Sequence, residues 1–123
     1  MNSFKLGAIA EEIAMAHERN RLGKEVADKY LKSVNDKPVL GYDIESVESE
    51  NTLKPRFIEV KTSNSRGEVI ISDHQVKVLR SLAERAFLYV VSLKSKSVER
   101  IIQNPIGEDF EARSKVNSYN FKI

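Results

Sequence analysis

The stretch "RFIEVKTS", residues 56–63, has the apolar alternation of a β-strand, yet it also carries an acid and a base. Side chains on a strand point alternately to its two faces. Ile58 and Val60 therefore point to one face, and Glu59 and Lys61 lie side by side on the other. The alternation predicts a strand that buries one face and places a charged pair on the opposite one.

A third charged residue, Asp43, lies in "GYDIES", residues 41–46, the preceding strand candidate. If the two strands pair, we expect Asp43 to lie beside Glu59 and Lys61. Two converging carboxylates repel each other and resist ionisation unless a cation compensates. Oxygen-only ligands favour Mg²⁺, with Mn²⁺ as a substitute. The alternative interpretation is an ordinary ion pair between Glu59 and Lys61, with Asp43 as a turn residue.

This combination of residue types suits hydrolysis of a phosphodiester. A bound divalent cation makes its own water a better nucleophile and stabilises developing charge. Lys61, beside the metal, would hold the scissile phosphate or help to deprotonate the water. The spacing of one acid and one lysine alone is weak evidence, and the acid on the preceding strand strengthens it.

The pattern along the whole chain predicts an α/β fold with a mixed central sheet flanked by helices. The polar "NSRG", residues 64–67, is typical of a hairpin turn between two strands. The tail from residue 106 is polar, and an edge strand, a dimer arm and a mobile segment all remain open for it. The predicted elements are helices over 4–19, 24–34 and 72–85 and strands over 39–47, 56–63, 68–71, 86–93 and 98–103.

Composition excludes several classes of protein. A chain of 123 residues, 41% hydrophobic and 31% charged, is typical of one soluble globular domain. The absence of cysteine excludes disulfides and thiolate chemistry. No apolar run is long enough to cross a membrane, and the N-terminal segment is a poor signal peptide, so we expect a cytoplasmic protein without a membrane partner. A net charge of +2 does not by itself indicate a polyanionic partner.

Four short stretches together resemble the PD-(D/E)XK nuclease superfamily, and most of all its NO VEIN C-terminal-like domain. They are "GKEVADKYL" (23–31), "GYDI" (41–44), "IEVKT" (58–62) and "ISDHQ" (71–75). The resemblance implies a restriction-endonuclease-like αβββαβ core over residues 21–105. Residues 1–20 would then be an extra N-terminal helix and residues 106–123 a C-terminal tail of one domain, 1–123.

The resemblance also implies a role for individual residues. Asp43 and Glu59 become metal ligands, Lys61 the catalytic lysine, and Glu25 a further acid from the first core helix, both catalytic and metal-binding. Gln75 matches a glutamine that some relatives place near the phosphate. Two alternatives stay open: Glu25 as a first-turn acid that favours the helix dipole, and Gln75 as part of a capping box.

Three more residues are candidates for contacts with substrate phosphates: Ser63 beyond Lys61, Arg66 in the "NSRG" turn, and Arg21 in "RNR". The expected function is that of a Mg²⁺-dependent DNA endonuclease, as a homodimer or as a subunit or domain of a larger restriction, repair or helicase system. The principal alternative is a catalytically weak or inactive nucleic-acid-binding module of the same fold. A structural interaction domain without a nucleic-acid role is the third interpretation.

Overall fold

A computed structural model describes the backbone of residues 3–107, 112–115 and 118–122, and the side chains of residues 5–107. None of the helices in these ranges is long and apolar enough to cross a bilayer. The helices are α1 (Ser3–Leu22), α2 (Lys24–Tyr30) and α3 (Asp73–Leu82), with 3₁₀ turns at Pro38–Leu40 and Ala83–Arg85. The strands are β1 (Lys32–Ser33), β2 (Ile44–Val47), β3 (Pro55–Lys61), β4 (Glu68–Ser72), β5 (Ala86–Ser92), β6 (Ser97–Gln103), β7 (Ala112–Lys115) and β8 (Ser118–Lys122).

Five strands form the central sheet in the order β1-β2-β3-β5-β6. Strands β3 and β5 are parallel, whereas the other neighbours are antiparallel, so the sheet is mixed. The predicted α/β class is confirmed, and the arrangement is compatible with a restriction-endonuclease-like core. The predicted pairing of the two motif strands is also confirmed, since Ile44 lies opposite Ile58.

Strand β5 shows why the sheet needs a helix on each face. Its residues are buried from Ala86 to Val91, as expected for the continuous apolar run "AFLYVV". Alternate side chains enter two different hydrophobic clusters. Phe87, Tyr89 and Val91 pack with Ala10 and Ala14 of α1, whereas Ala86, Leu88 and Val90 pack with Val76 and Leu79 of α3.

Helix α1 is longer than the predicted helix and is part of the packed core. Ala10 and Ala14 are buried against Ile44 and Ile58 of the central sheet. Alanine side chains allow the helix backbone to lie close to the strands. The predicted extra N-terminal helix of residues 1–20 is thus packed on one face of the central sheet.

Strand β4 does not form the expected hairpin with β3. The turn at residues 64–67 is present, and the Asn64 N–H donates to the Glu68 carbonyl over 2.7 Å. However, β4 pairs with β8 in a separate three-stranded sheet of order β4-β8-β7. Val69 and Ile71 enter the α3-side cluster, so this strand is used for packing on α3 rather than for extending the central sheet.

The segment before β2 is a turn rather than the predicted start of a strand. Gly41 has φ of 77°, and a Cβ there would lie 2.7 Å from Val78 Cγ2 of α3. A left-handed backbone with no room for a side chain requires glycine. Because the chain turns at Gly41, Asp43 comes to lie immediately before β2. The second helix is also shorter than the predicted 24–34, since α2 ends at Tyr30.

Candidate functional site

Asp43 is fixed against strand β3 by its backbone and its side chain. Its N–H donates to the Ile58 carbonyl over 2.9 Å, and its Oδ2 accepts from the Val60 N–H over 2.8 Å. Its carbonyl also accepts from the Val34 N–H. These bonds hold the Asp43 carboxylate at the carboxyl end of β3, beside the carboxylate of Glu59.

Glu59 is a buried carboxylate with one oxygen left without a partner. Its residue is 2% exposed. Oε2 accepts from Gln75 Nε2 over 3.0 Å and lies 3.3 Å from Lys61 Nζ. Oε1 is buried and has no hydrogen-bond partner among the described residues. A buried acceptor without a partner is costly, and native structures leave few of them.

The surroundings of Glu59 disfavour its charged form. Burial raises the pKa of this carboxyl well above its ordinary value, and the nearby Asp43 carboxyl raises it further. Lys61 acts in the opposite direction without compensating fully. A second positive charge at this point would therefore stabilise the ionised carboxylate.

The site residues line one cavity of about 330 Å³ between α1, β3 and α3. This cavity brings together Asp43, Glu59, Lys61 and Gln75. The sequence predicted that the first three lie close to one another. The other lining residues are Gly7, Ala8, Glu11, Asn35 and Val60.

Glu11 was not among the predicted site residues. The side chains of Ser33 and Asn35 both donate to its carboxylate, the latter over 2.7 Å. The sequence does contain a signal, since Glu11 lies next to buried Ala10 and three residues before buried Ala14. A helical acid at the margin of a buried stripe faces the groove between helix and sheet.

Arg21 and Glu25 are not brought to this cavity, which corrects the predicted site. The Arg21 guanidinium donates to the carbonyls of Val47, over 2.7 Å, and of Glu48. Val47 lies at the other end of β2 from Asp43, about 13 Å away at the rise of a strand. Glu25 is exposed on α2, whose buried Ala27 packs beside Val47. Both residues therefore belong to the opposite end of β2.

The remaining candidates take different positions. Gln75 forms the capping box with Ser72, as one interpretation predicted, and its Nε2 also donates to Glu59. Ser63 lines a neighbouring cavity that also borders Lys61. Arg66 is exposed on the turn after β3 and does not line the cavity that holds Asp43.

Asp43 and Glu59 fit a magnesium ion by their chemistry. Mg²⁺ is commonly held by one or two carboxylates, with waters and substrate phosphate completing its octahedron. The orphaned Glu59 Oε1 is an acceptor of the required kind. Within the described part of the chain, no group of three His, Cys, Asp or Glu residues is placed to hold a metal. The site thus offers two carboxylates and leaves the other positions to water and substrate.

A second buried glutamate, Glu18 of α1, lies toward the far end of β2. Hydrogen-bond donors of the protein surround its carboxylate. Arg21 Nε donates to it over 2.9 Å, and the hydroxyls of Ser46 and Tyr89 each donate over 2.8 Å. Burial alone would raise the pKa of Glu18, but these hydrogen bonds and the charge of Arg21 outweigh it and lower the pKa. Glu18 is therefore a satisfied structural carboxylate.

Comparison with known proteins identifies one family. A family model described as "Protein NO VEIN, C-terminal" matches residues 10–103, which include most of α1 and all five strands of the central sheet. No curated protein and no solved structure matches the chain. The match covers the cavity-lining residues from Glu11 to Gln75. The chain belongs to the NO VEIN C-terminal family.

Proposed function

We propose that this protein is a Mg²⁺-dependent nuclease that hydrolyses phosphodiester bonds of DNA, with a site of the PD-(D/E)XK type. The observation that carries the proposal is the buried Glu59 carboxylate, whose Oε1 has no partner among the described residues and which shares a cavity with Asp43 and Lys61. An acid, a second acid and a lysine at the end of one strand suit a metal-assisted attack on phosphate.

Asp43 and Glu59 are the residues that would hold the ion. The ion supplies an activated water and stabilises charge on the phosphate. The Val60 N–H fixes one oxygen of Asp43, and Gln75 and Lys61 fix Oε2 of Glu59. The two carboxylates are thus oriented before any ligand arrives. Such preorganisation reduces the cost of reorganisation during the reaction.

Lys61 is the group that would contact the scissile phosphate. Its side chain is 23% exposed, so the ammonium is accessible from the cavity while it pairs with Glu59. A cation that takes over the charge of Glu59 frees Lys61 to donate to a phosphate oxygen or to orient the attacking water. Glu11 lines the same cavity and occupies the place for which Glu25 was predicted, where it would order water around the ion.

The plain ion-pair interpretation accounts for only part of this arrangement. Glu59 and Lys61 do form an ion pair over 3.3 Å. An ion pair alone, however, gains nothing from a second carboxylate that disfavours ionisation of Glu59. It also gives no reason to bury Oε1 without a donor. A metal site explains both features.

DNA is the proposed substrate. The number of copies of the chain in the proposed assembly depends on how many strands are cut. One cavity with one pair of carboxylates cuts one strand at a time. Cutting both strands of a duplex requires two copies, for which a two-fold homodimer is the simplest arrangement, or a place in a larger restriction, repair or helicase system. A non-catalytic DNA-binding module is the rival that the following experiment separates.

The test is nicking of a supercoiled plasmid in Mg²⁺, in Mn²⁺ and in EDTA. We expect nicking only with metal, and we expect Lys61→Ala to slow it by about 100-fold or more, the range lost with a group that moves or positions a proton. Lys94→Ala, at an exposed position in the turn after β5, is the matched control and should nick like the wild type.

Three results are informative. Metal-dependent nicking that Lys61→Ala retains would assign the activity to another site or to a contaminant and would overturn the proposal. Salt-sensitive DNA binding without nicking in either metal would establish the binding module instead. If the protein neither binds nor nicks DNA, the remaining interpretation is a structural interaction domain.

A further inference from the structure

A second cavity adjoins the candidate site on the other side of Lys61. It has a volume of about 380 Å³ and shares Gly7, Val60 and Lys61 with the cavity that holds Asp43. One wall carries polar side chains, those of Thr62, Ser63 and Asn64, and the other is apolar, formed by Leu6, Ala10 and Ile70. An apolar wall facing a few polar groups is the usual composition of a small-molecule site.

The polar wall offers donors that the protein does not use. The hydroxyls of Thr62 and Ser63 make no hydrogen bond within the part of the chain described. Asn64 Oδ1 accepts from the N–H groups of Arg66, over 2.9 Å, and Glu68, over 3.0 Å. These two bonds fix the amide, and its Nδ2 has no partner among residues 5–107. Three donors therefore follow Lys61 in consecutive positions.

Gly7 lies at the junction between the two cavities. Glycine inside a helix costs about 1 kcal/mol relative to alanine. A Cβ at Gly7 would meet nothing within 4 Å, so packing does not require glycine there. An exposed helical glycine leaves the backbone accessible to a ligand. The orphaned oxygen of Glu59 lies in the adjoining cavity, where the proposed ion would complete it.

We propose that this second cavity binds one unpaired nucleotide next to the phosphate that is cut. The phosphate of that nucleotide accepts from Thr62 and Ser63, and its base lies on the apolar wall at Leu6 and Ile70. Ile70 is 49% exposed, which is a large apolar surface for a strand residue beside a polar turn. This inference rests on the proposed phosphodiesterase activity and adds the form of the substrate.

The charges that line the second cavity suit a ligand with a single phosphate. Lys61 and Glu68 both line the cavity, so one positive side chain is balanced by one negative side chain. A polyphosphate would find too little positive charge, whereas a nucleotide in a chain brings one negative charge and an apolar base. A base can reach the apolar wall only when it is unstacked and unpaired. We therefore expect a preference for single-stranded DNA or an unpaired end over continuous duplex.

The first test is binding of thymidine 5′-monophosphate to ¹⁵N-labelled protein in EDTA, followed by amide chemical shifts. We expect saturable shifts at Leu6, Ser63 and Ile70, and smaller shifts with inorganic phosphate because it lacks the base. A Thr62→Ala/Ser63→Ala double variant should weaken binding by about ten-fold, the loss of hydrogen bonds to a charged group. Ser95→Ala, which removes an exposed hydroxyl in the turn after β5, is the matched control.

The second test is cleavage in Mn²⁺ of a labelled oligonucleotide, single-stranded or annealed to its complement. We expect the single strand to be cut at least about ten-fold faster, as base contacts of this kind contribute. The double variant, which loses contacts to the phosphate of the bound nucleotide, should cut the single strand about ten-fold more slowly than the wild type. No nucleotide shifts near Ser63, or faster cutting of the duplex, would overturn the subsite even if plasmid is nicked. Nucleotide shifts without any cleavage would keep the subsite and overturn the nuclease.

Discussion

Glu18 and Glu59 are both buried glutamates on the central sheet, yet the protein treats them in opposite ways. Glu18 receives hydrogen bonds from Arg21, Ser46 and Tyr89, and its pKa is lowered. Glu59 has an acidic neighbour and one oxygen without a donor, and its pKa is raised. Burial is the same at both positions, so burial alone does not mark a functional carboxylate.

The number of donors separates the two. A carboxylate that holds the fold together is surrounded by enough donors to stay ionised, and nothing else is needed there. Glu59 has fewer donors and faces a cavity, as the proposed function expects of a carboxylate that binds a ligand. The cavity of about 330 Å³ lies beside Glu59. In the proposed site, a cation and a phosphate would complete Glu59 and offset the cost of its unpartnered oxygen.

The same substitution at both positions is the strongest test of this difference. Glu59→Gln should lower metal-dependent nicking by about 1,000-fold, because it removes a charged ligand from the ion that activates water. Its free energy of unfolding in EDTA should equal or exceed that of the wild type. Plasmid nicking and urea denaturation measure the two quantities. A destabilised but active Glu59→Gln protein would reverse the assignment.

Glu18→Gln should have the converse effect and lower the free energy of unfolding by about 3 kcal/mol, since the amide keeps only one acceptor oxygen for three donors and leaves the charge of Arg21 without its partner. Urea denaturation near neutral pH measures this loss. Below its unfolding transition, the variant should bind Mn²⁺ as the wild type does. An unchanged unfolding midpoint would show that the Glu18 contacts contribute little to stability.

Two surface acids sharpen the boundary of the site. Glu11→Gln should slow nicking by about ten-fold, the contribution expected of a residue that orders water at a metal. Glu25→Gln should leave the rate within about two-fold of the wild type, because an exposed substitution away from the cavity has little effect. Initial nicking rates over a range of Mg²⁺ concentrations measure both. The reverse order would restore Glu25 to the site.

The pH dependence of stability gives the smallest but most specific difference. Glu59 has a raised pKa in the folded protein, so its favourable contribution is present below the ordinary glutamate pKa and is lost as pH rises through the raised value. Glu18 has a lowered pKa, so its contribution is present above the ordinary value and is lost as pH falls through the lowered one.

Denaturation of wild type and the two glutamine variants in EDTA, from about pH 3 to about pH 8, measures these contributions. We expect the stability of Glu59→Gln relative to the wild type to increase with pH. The stability of Glu18→Gln relative to the wild type should increase as the pH falls. Parallel curves for the two variants would contradict the opposite pKa shifts.

The sequence predicts the centre of the site well because that centre depends on local geometry. Alternation along β3 places Glu59 and Lys61 on one face, and pairing with β2 brings Asp43 beside them. The capping box from Ser72 to Gln75 is equally local. Helix and strand types follow from short-range periodicity, so the α/β class was predictable as well.

What the sequence did not predict depends on packing between distant segments. Glu11 reaches the cavity only because α1 packs on the sheet, and an amphipathic helix does not state which strands it will cover. Glu25 was assigned to the site from its place in a family-like stretch, but α2 packs beside Val47. The pairing of β4 with β8 joins segments about fifty residues apart, and no local pattern distinguishes it from a hairpin with β3.

Helix α1 carries Glu18 and also Glu11, which lines the cavity beside Glu59. The helix therefore sets the distance between these two regions. Glu11 and Glu18 are seven residues apart, which is about 10.5 Å along the axis and about 20° of rotation in an α-helix. The hydrogen bonds of Glu18 fix one end of the helix, and the position of Glu18 therefore determines where Glu11 lies over the cavity. One residue inserted between them would rotate Glu11 by about 100° about the helix axis and leave the hydrogen bonds of Glu18 in place. In the proposed nuclease, the alignment of Glu11 with the cavity would therefore depend on helical phase, which is set at Glu18, far from the reacting atoms.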